Sequence, residues 1–390
     1  MKVVDIIKSG KILFFDLDGT VAYTNYANNK AYSDAYYLIN GQQMSFIPNV
    51  RITRQTIADI PNICKDEYEA IIKEKEKRYS NYLHLIKPND SIIKLIKECY
   101  IHLPLYIITR SQRNRALQIL KYLNIDKCFK DIISCKSKNK YEEAINLLGI
   151  GIHELIVFEN DFFEIKNCID IGISNDKIIK VMKEFQIESN EYLNSPIKSW
   201  YHSEYHGGKF WEKGTIENII CTIKNDIDIK SYDNPELLDA SKKLYDILML
   251  DLGNLVNNYS QEFGDSDITI CAVPRAKVQN NYYPHQLLFK ETIKRVISDL
   301  KLNDGTDYLI RKVNTRTTHR DKSGHGGEGP LPYVGITKDT CNISPQVKGK
   351  VILLIDDVYT KSINIDEDAI QALLDNGANK VFFYSVGYTI

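Results

Sequence analysis

The feature that most constrains this chain is a repeated grammar, an apolar β-like run that ends abruptly in acids, hydroxyls or a polar turn. It occurs in KILFFDLDGT (11–20), LPLYIITRS (103–111) and HELIVFEND (153–161), and returns in DITICAVPRAK (267–277) and KVILLIDDVYTKS (350–362). Amphipathic helical patterns lie between these runs. Strands alternating with helices imply a parallel sheet covered on both faces, with chemistry at the carboxyl ends of the strands. The sequence therefore predicts an α/β protein of two Rossmann-like parallel-sheet domains, 1–195 and 196–390. Their join is expected in the Ser/Asn/Pro stretch SNEYLNSPIKSW. Residues 22–95 exceed what a crossover helix requires, are rich in Tyr, Lys and Glu, and read mostly as helix. An insertion of that length beside a chemical strand end predicts a helical cap.

Composition narrows the function classes. Fifty Lys and Arg nearly balance 51 Asp and Glu, so no net basic field recruits nucleic acid. Nucleic acid and membrane are accordingly not expected as partners, and a homodimer is left open. No apolar run approaches the roughly 20 residues needed to span a bilayer, and the amino terminus lacks a cleavable leader pattern. The expected location is cytoplasmic. Eight cysteines are scattered without a C-x-x-C pair, which points to buried free thiols rather than zinc or disulfides.

Asp16 and Asp18 stand two positions apart at the end of the first run, so on a strand both side chains point the same way. Two carboxylates held together repel unless a cation lies between them or one is protonated. Mg²⁺ with phosphate oxygens meets that need, because it takes few protein carboxylates and completes its shell with substrate oxygens and water. FFDLDGTV resembles the D-x-D-G-T signature of the haloacid dehalogenase superfamily of phosphohydrolases, over roughly residues 10–185. The resemblance implies Asp16 as the nucleophile that forms an aspartyl-phosphate and Asp18 as general acid and base. It further implies Thr109 as a phosphate-binding hydroxyl and a lysine at a helix start, for which Lys136, Lys138 and Lys140 are available and Lys140 is favoured. The metal set implied is Asp16 and Asp18 with Asn160, Asp161 and Glu164, a departure from the family's G-D-x-x-x-D in which either Asn160 or Asp161 takes the usual aspartate's place.

The second acid pair, in LLIDDVYTKSINI, can accept hydrogen bonds from two ribose hydroxyls, while the turn after it offers N–H groups to a phosphate. The segment resembles the D-D-V-x-T-T-G-x-T motif of type I phosphoribosyltransferases, over about 200–390. That resemblance implies ligand contacts from Asp356, Asp357, Thr360, Lys361 and Ser362, with Arg275 and Lys277 facing a diphosphate. Residues 205–224 resemble the leading segment of the family's competence-type orphan branch. The glycine-dense 318–336, with Arg316, His319, Arg320 and His325, stands where a mobile catalytic hood is kept. Tyr359, beside the acids, is expected to stack on a ligand or serve as a lid residue.

Together these readings predict a Mg²⁺-dependent enzyme of nucleotide metabolism with two activities, phosphomonoester hydrolysis and phosphoribosyl transfer. Its expected ligands are phosphorylated sugars or nucleotides and phosphoribosyl diphosphate. Two alternatives stand beside it. In one, the second domain only senses phosphoribosyl diphosphate or a nucleotide and regulates the phosphatase. In the other, the first domain removes 3′-phosphates from nucleic-acid ends.

Overall fold

The computed structural model of the protein describes residues 3–44, 46, 51–207, 214–224, 235–263, 267–315, 335–336 and 339–390. The chain separates into two compact units, Met1–Val181 and Met182–Ile390. Among the described residues no helix is long and apolar enough to cross a membrane.

In the first unit the apolar runs become strands β1 (Ile12–Phe15), β2 (Leu105–Thr109), β3 (Asp131–Ser134), β4 (Leu155–Glu159) and β5 (Ile178–Lys180). They form one all-parallel sheet in the order β3-β2-β1-β4-β5. Register places Phe15 between Ile107 and Phe158, and the Phe15 and Phe158 rings stack with centroids 4.5 Å apart. The carboxyl ends of β1, β2 and β4 thus open on one side, carrying Asp16, Thr109 and Asn160. Helices α1 (Asn25–Asn40) and α2 (Lys65–Arg78) belong to the insertion, whereas α3 (Asp90–Cys99), α4 (Arg113–Tyr122), α5 (Lys140–Leu148) and α6 (Phe162–Asp170) accompany the sheet.

The insertion is narrower than 22–95. It rises from a two-residue antiparallel pairing of Ala22–Tyr23 with Lys87–Pro88 and has a small core of its own, centred on Tyr32, Ala35, Ile52, Ile57 and Ile71. α3 lies outside it. Ile92, Ile96 and Cys99 recur at helical spacing on one face, and that face packs into the main core with Ile6 and Leu13.

The second unit holds β6 (Lys183–Ile187), β7 (Ile197–Tyr205), β8 (Ile268–Ala272), β9 (Asn303–Asp304), β10 (Val351–Tyr359) and β11 (Lys380–Thr389) in the order β9-β8-β10-β11-β7-β6. All pairings of this sheet are parallel except β6 with β7. Among the described residues the longer helices beside it are α7 (Ile216–Lys224), α8 (Pro235–Asn258), α9 (Leu288–Leu300) and α10 (Ile365–Asp375). The stretch expected to be a linker joins β6 to β7 within this unit, and the compact units divide at Val181/Met182 rather than near 195. KEFQI and IKSWYHSEY carry enough apolar and aromatic surface to pair as an edge, despite the Ser/Asn/Pro residues between them. Val351–Ile355 of β10 are all buried, which fixes the following acids at a rigid point of the sheet.

Candidate active site

The chain turns sharply after β1, with Gly19 at φ +98°, and the Gly19 N–H donates to the Ala22 carbonyl at 2.8 Å. A Cβ at Gly19 would meet the Asn160 amide nitrogen at 2.5 Å, so glycine is required twice, by its backbone angle and by the amide lying against it. The Thr20 hydroxyl donates to Asn160 Oδ1 at 2.8 Å.

Beside this turn lies a buried ionic cluster. Asn139 caps α5 by accepting N–H bonds from Tyr141 and Glu142, and this capped start projects Lys140 toward β1. The Lys140 ammonium donates to Asp16 Oδ1 at 2.5 Å and pairs with Glu159 Oε2 at 2.7 Å. All three side chains are under 10% exposed. Burial alone would discharge the lysine, but the two carboxylates more than offset it and hold its pKa above the ordinary value. Burial, and then the charge of Glu159, push the Asp16 carboxyl up against the pull of Lys140. One ammonium thus serves two carboxylates.

Asp18 is handled differently. Its Oδ1 accepts from the Thr24 hydroxyl and, at 3.2 Å, from Arg51 Nη2, while its Oδ2 accepts from the Ser111 hydroxyl at 2.5 Å. Burial opposes ionisation, yet Arg51, then Arg115, then the two hydroxyls hold this carboxyl well below the usual range. Thr109, fully buried at the end of β2, accepts the Ser111 N–H on its hydroxyl at 3.0 Å.

Of the three lysines available by sequence, Lys140 reaches Asp16, whereas Lys136 and Lys138 are exposed. Asn160 sits at the turn, but Asp161 and Glu164 do not join it. Asp161 Oδ1 caps α6 through the N–H groups of Phe163 and Glu164, and Glu164 pairs with Arg110 at 2.6 Å. A local cap and a local ion pair claim these two acids, which corrects their expected place in a metal set. Arg51, Ser111, Arg115 and Glu159 are the contacts that sequence reasoning missed. Ser111 and Arg115 stand four residues apart, from the start of α4 into its first turn, which is the one signal the sequence offered.

The haloacid dehalogenase-like hydrolase family model matches residues 13–178. The first unit is a haloacid dehalogenase-like hydrolase domain. Similar solved structures include a haloacid dehalogenase-like family hydrolase from Streptococcus pneumoniae, 20% identical over 43% of this chain and 83% of that one, with a TM-score of 0.36. A haloacid dehalogenase hydrolase from Entamoeba histolytica is 23% identical over 44% and 82%, with a TM-score of 0.36. CbbY from Rhodobacter sphaeroides, solved in complex with phosphate, is 16% identical over 42% and 83%, with a TM-score of 0.37. No curated protein matches the chain.

Hydrolase domains of this family generally use Mg²⁺, and the donor set can be tested for it. Among the described residues no group of three or more His, Cys, Asp and Glu side chains is placed to hold a metal. Asp16 and Asn160, which follow the ends of the neighbouring strands β1 and β4, still fit a cation that takes few protein ligands.

The second unit's acids lie inside β10 rather than beyond it. Asp357 pairs with Lys224, the last residue of α7, at 2.8 Å. Asp356 lies beside Asp366 of α10, and burial, then the charge of Asp357, push it up to about 7. Asp366 is likewise raised, by burial and then by Asp356. The Thr360 hydroxyl is paired with that of Thr389 at 2.8 Å, and Lys361 and Ser362 are exposed on the following turn. Arg275 donates to the carbonyls of Lys224 and Gln286 and lies over the Tyr282 ring, 4.5 Å from its centroid. Together with Lys277, Lys290 and Arg311, it lines a recess open to solvent. Tyr359 is neither lid nor stacking platform. It is 3% exposed, donates to Glu367 at 2.8 Å and packs on Phe185 and Phe383. The hood residues Arg316, His319, Arg320 and His325 lie outside the described residues.

Proposed function

We propose that the hydrolase domain cleaves phosphomonoesters by way of an aspartyl-phosphate on Asp16. The observation that carries this is the buried Lys140 ammonium on Asp16, at the mouth of a sheet whose neighbouring strand ends in Thr109. A cation fixed there, out of water, stabilises charge gathering on a transferring phosphoryl group without reorganisation. Asp16 attacks phosphorus, the ester oxygen leaves with a proton, and a water later releases phosphate from Asp16. Asp18, held ionised, is suited to accept the proton of that water, and delivers the leaving-group proton only when its hold on Arg51 is loosened. Asp16 and Asn160 would hold Mg²⁺, which when bound supplies Lewis-acid neutralisation of phosphoryl oxygens. Phosphate release from a panel of sugar and nucleotide phosphates tests the reading. Activity on at least one ester, lost in Asp16→Asn, is expected; release that survives Asp16→Asn sinks it.

For the second unit the reading is a ribose-phosphate ligand, phosphoribosyl diphosphate or a nucleotide, received by Asp356, Asp357 and Thr360 with Arg275 and Lys277 on its phosphates. Lys224 supports it, since one residue links the two regions, its ammonium on Asp357 and its carbonyl on Arg275. Calorimetric titration with phosphoribosyl diphosphate should show binding that Asp357→Asn weakens. Turnover with a panel of bases separates a transferase from a sensing module.

A further inference from the structure

Between the insertion and the sheet of the hydrolase domain, donors outnumber the groups that satisfy them. Lys75 of α2 is fully buried, with its ammonium 4.8 Å from the Tyr32 ring centroid and 5.1 Å from that of Tyr79. Its carboxylate partner is Glu76, at 3.1 Å, and the same oxygen, Oε1, also accepts from Arg115 Nη1 at 3.2 Å. Arg115 Nη2 donates to the Ser111 hydroxyl, which in turn donates to Asp18, so the cluster is hydrogen-bonded directly to the candidate catalytic pair. Arg51 closes the other side through Asp18. Two guanidinium groups, Arg51 and Arg115, therefore face two carboxylates, Asp18 and Glu76, and beside them burial and then Arg115 push the Lys75 ammonium down to about 7. Among the described residues two buried donors here have no hydrogen-bond partner, Arg115 Nε and the hydroxyl of Tyr79, a residue only 1% exposed. Orphaned buried donors are costly, so a place that keeps two beside two guanidinium groups is arranged for an acceptor it does not itself contain.

Resting on the phosphatase reading above, we infer that this recess receives a second anionic group of the substrate, a carboxylate or another phosphate, on Tyr79, Arg115 and Lys75. The phosphoryl group goes to Asp16 and Lys140, and the distal anion goes to the insertion. The preferred substrates are then small phosphomonoesters anionic at both ends. In the conformation described the recess is shut, so such a substrate enters when the insertion parts from the sheet, and the insertion closes on it by trading contacts with Asp18 and Glu76 for contacts with the ligand.

The test uses the full chain carrying Asp16→Asn and calorimetric binding, so it does not depend on turnover. Two pairs serve as probes. 3-Phosphoglycerate against glycerol 3-phosphate isolates a carboxylate, and fructose 1,6-bisphosphate against fructose 6-phosphate isolates a second phosphate. At least one doubly anionic member is expected to bind tenfold or more tighter than its mate, the ratio telling which anion is taken. Adding Tyr79→Phe, which keeps the ring and removes only the hydroxyl, should cut that advantage by about tenfold, as should Arg115→Gln. Equal binding within both pairs, or an advantage untouched by both variants, overturns the inference. If the advantage and its loss are seen but the wild-type chain releases phosphate from no ester, the phosphatase reading fails and the anion recess stands. If phosphate is released without preference, the recess fails alone.

Discussion

Two acid pairs surface from buried parallel strands in this protein, and they differ in how many cations they are given. Asp16 and Asp18 are surrounded by cations drawn from separate parts of the chain, Lys140 from a helix start, Arg51 from the insertion and Arg115 from α4. Among the described residues Asp356 and Asp357 meet Lys224 together with a further acid, Asp366. In the first pair Asp18 is held down by the charges around it, while burial and then Glu159 push Asp16 up against the pull of Lys140. In the second, burial and then Asp357 push Asp356 up to about 7, so that pair relies in part on a retained proton with a single lysine beside it. The same strand-end grammar is thus compatible with two electrostatic states, and partners supplied from elsewhere in each unit decide which one is adopted.

The sharpest way to break this contrast is to remove the proposed nucleophile. Asp16→Asn should lower phosphate release at least about a thousandfold, read as initial rates on the best ester found. A smaller fall would mean that the cation-rich pair is structural. Next come the lysines. Lys140→Met leaves Asp16 and Glu159 buried without a counter-charge and should cost about 3–5 kcal/mol in urea unfolding. Lys224→Met, at a partly exposed pair, should cost no more than about 1 kcal/mol. Equal costs would erase the distinction drawn here.

The retained proton makes a prediction in pH. A carboxyl near 7 when folded and near 4 when unfolded keeps a proton that the unfolded chain has released. Its contribution is therefore complete below about pH 4 and is lost as pH rises through 7. The wild-type second unit should lose about 3 kcal/mol across that window, and Asp356→Asn should lose clearly less. Parallel unfolding profiles for the two proteins would sink the assignment. The smallest effect is expected at Thr360. Its hydroxyl pairs with that of Thr389, and Thr360→Val should cost about 1 kcal/mol in thermal or urea unfolding of that unit.

The strands that build the first site were legible because buried parallel strands write themselves as short apolar runs, and Asp16, Asp18 and Thr109 follow from where those runs stop. Lys140 was legible as one of three lysines, and its capped helix start singles it out. Arg51 was not, since it meets Asp18 across a long stretch of chain that no local pattern encodes, and Arg115 was marked by nothing but its four-residue spacing from Ser111. Asp161 and Glu164 misled for the opposite reason: an acid beside a helix start is claimed first by that helix. The β6–β7 edge was missed because its connecting residues have the composition of a linker, although the flanking segments pair as strands.

Gly19 carries a consequence beyond its turn. The volume a methyl group would fill there is the volume the Asn160 carboxamide occupies, so the ends of β1 and β4 mesh like a tooth in a notch. Enlarging the residue that has no side chain would dislodge the Asn160 amide, and damage to the chemistry would precede any damage to the fold.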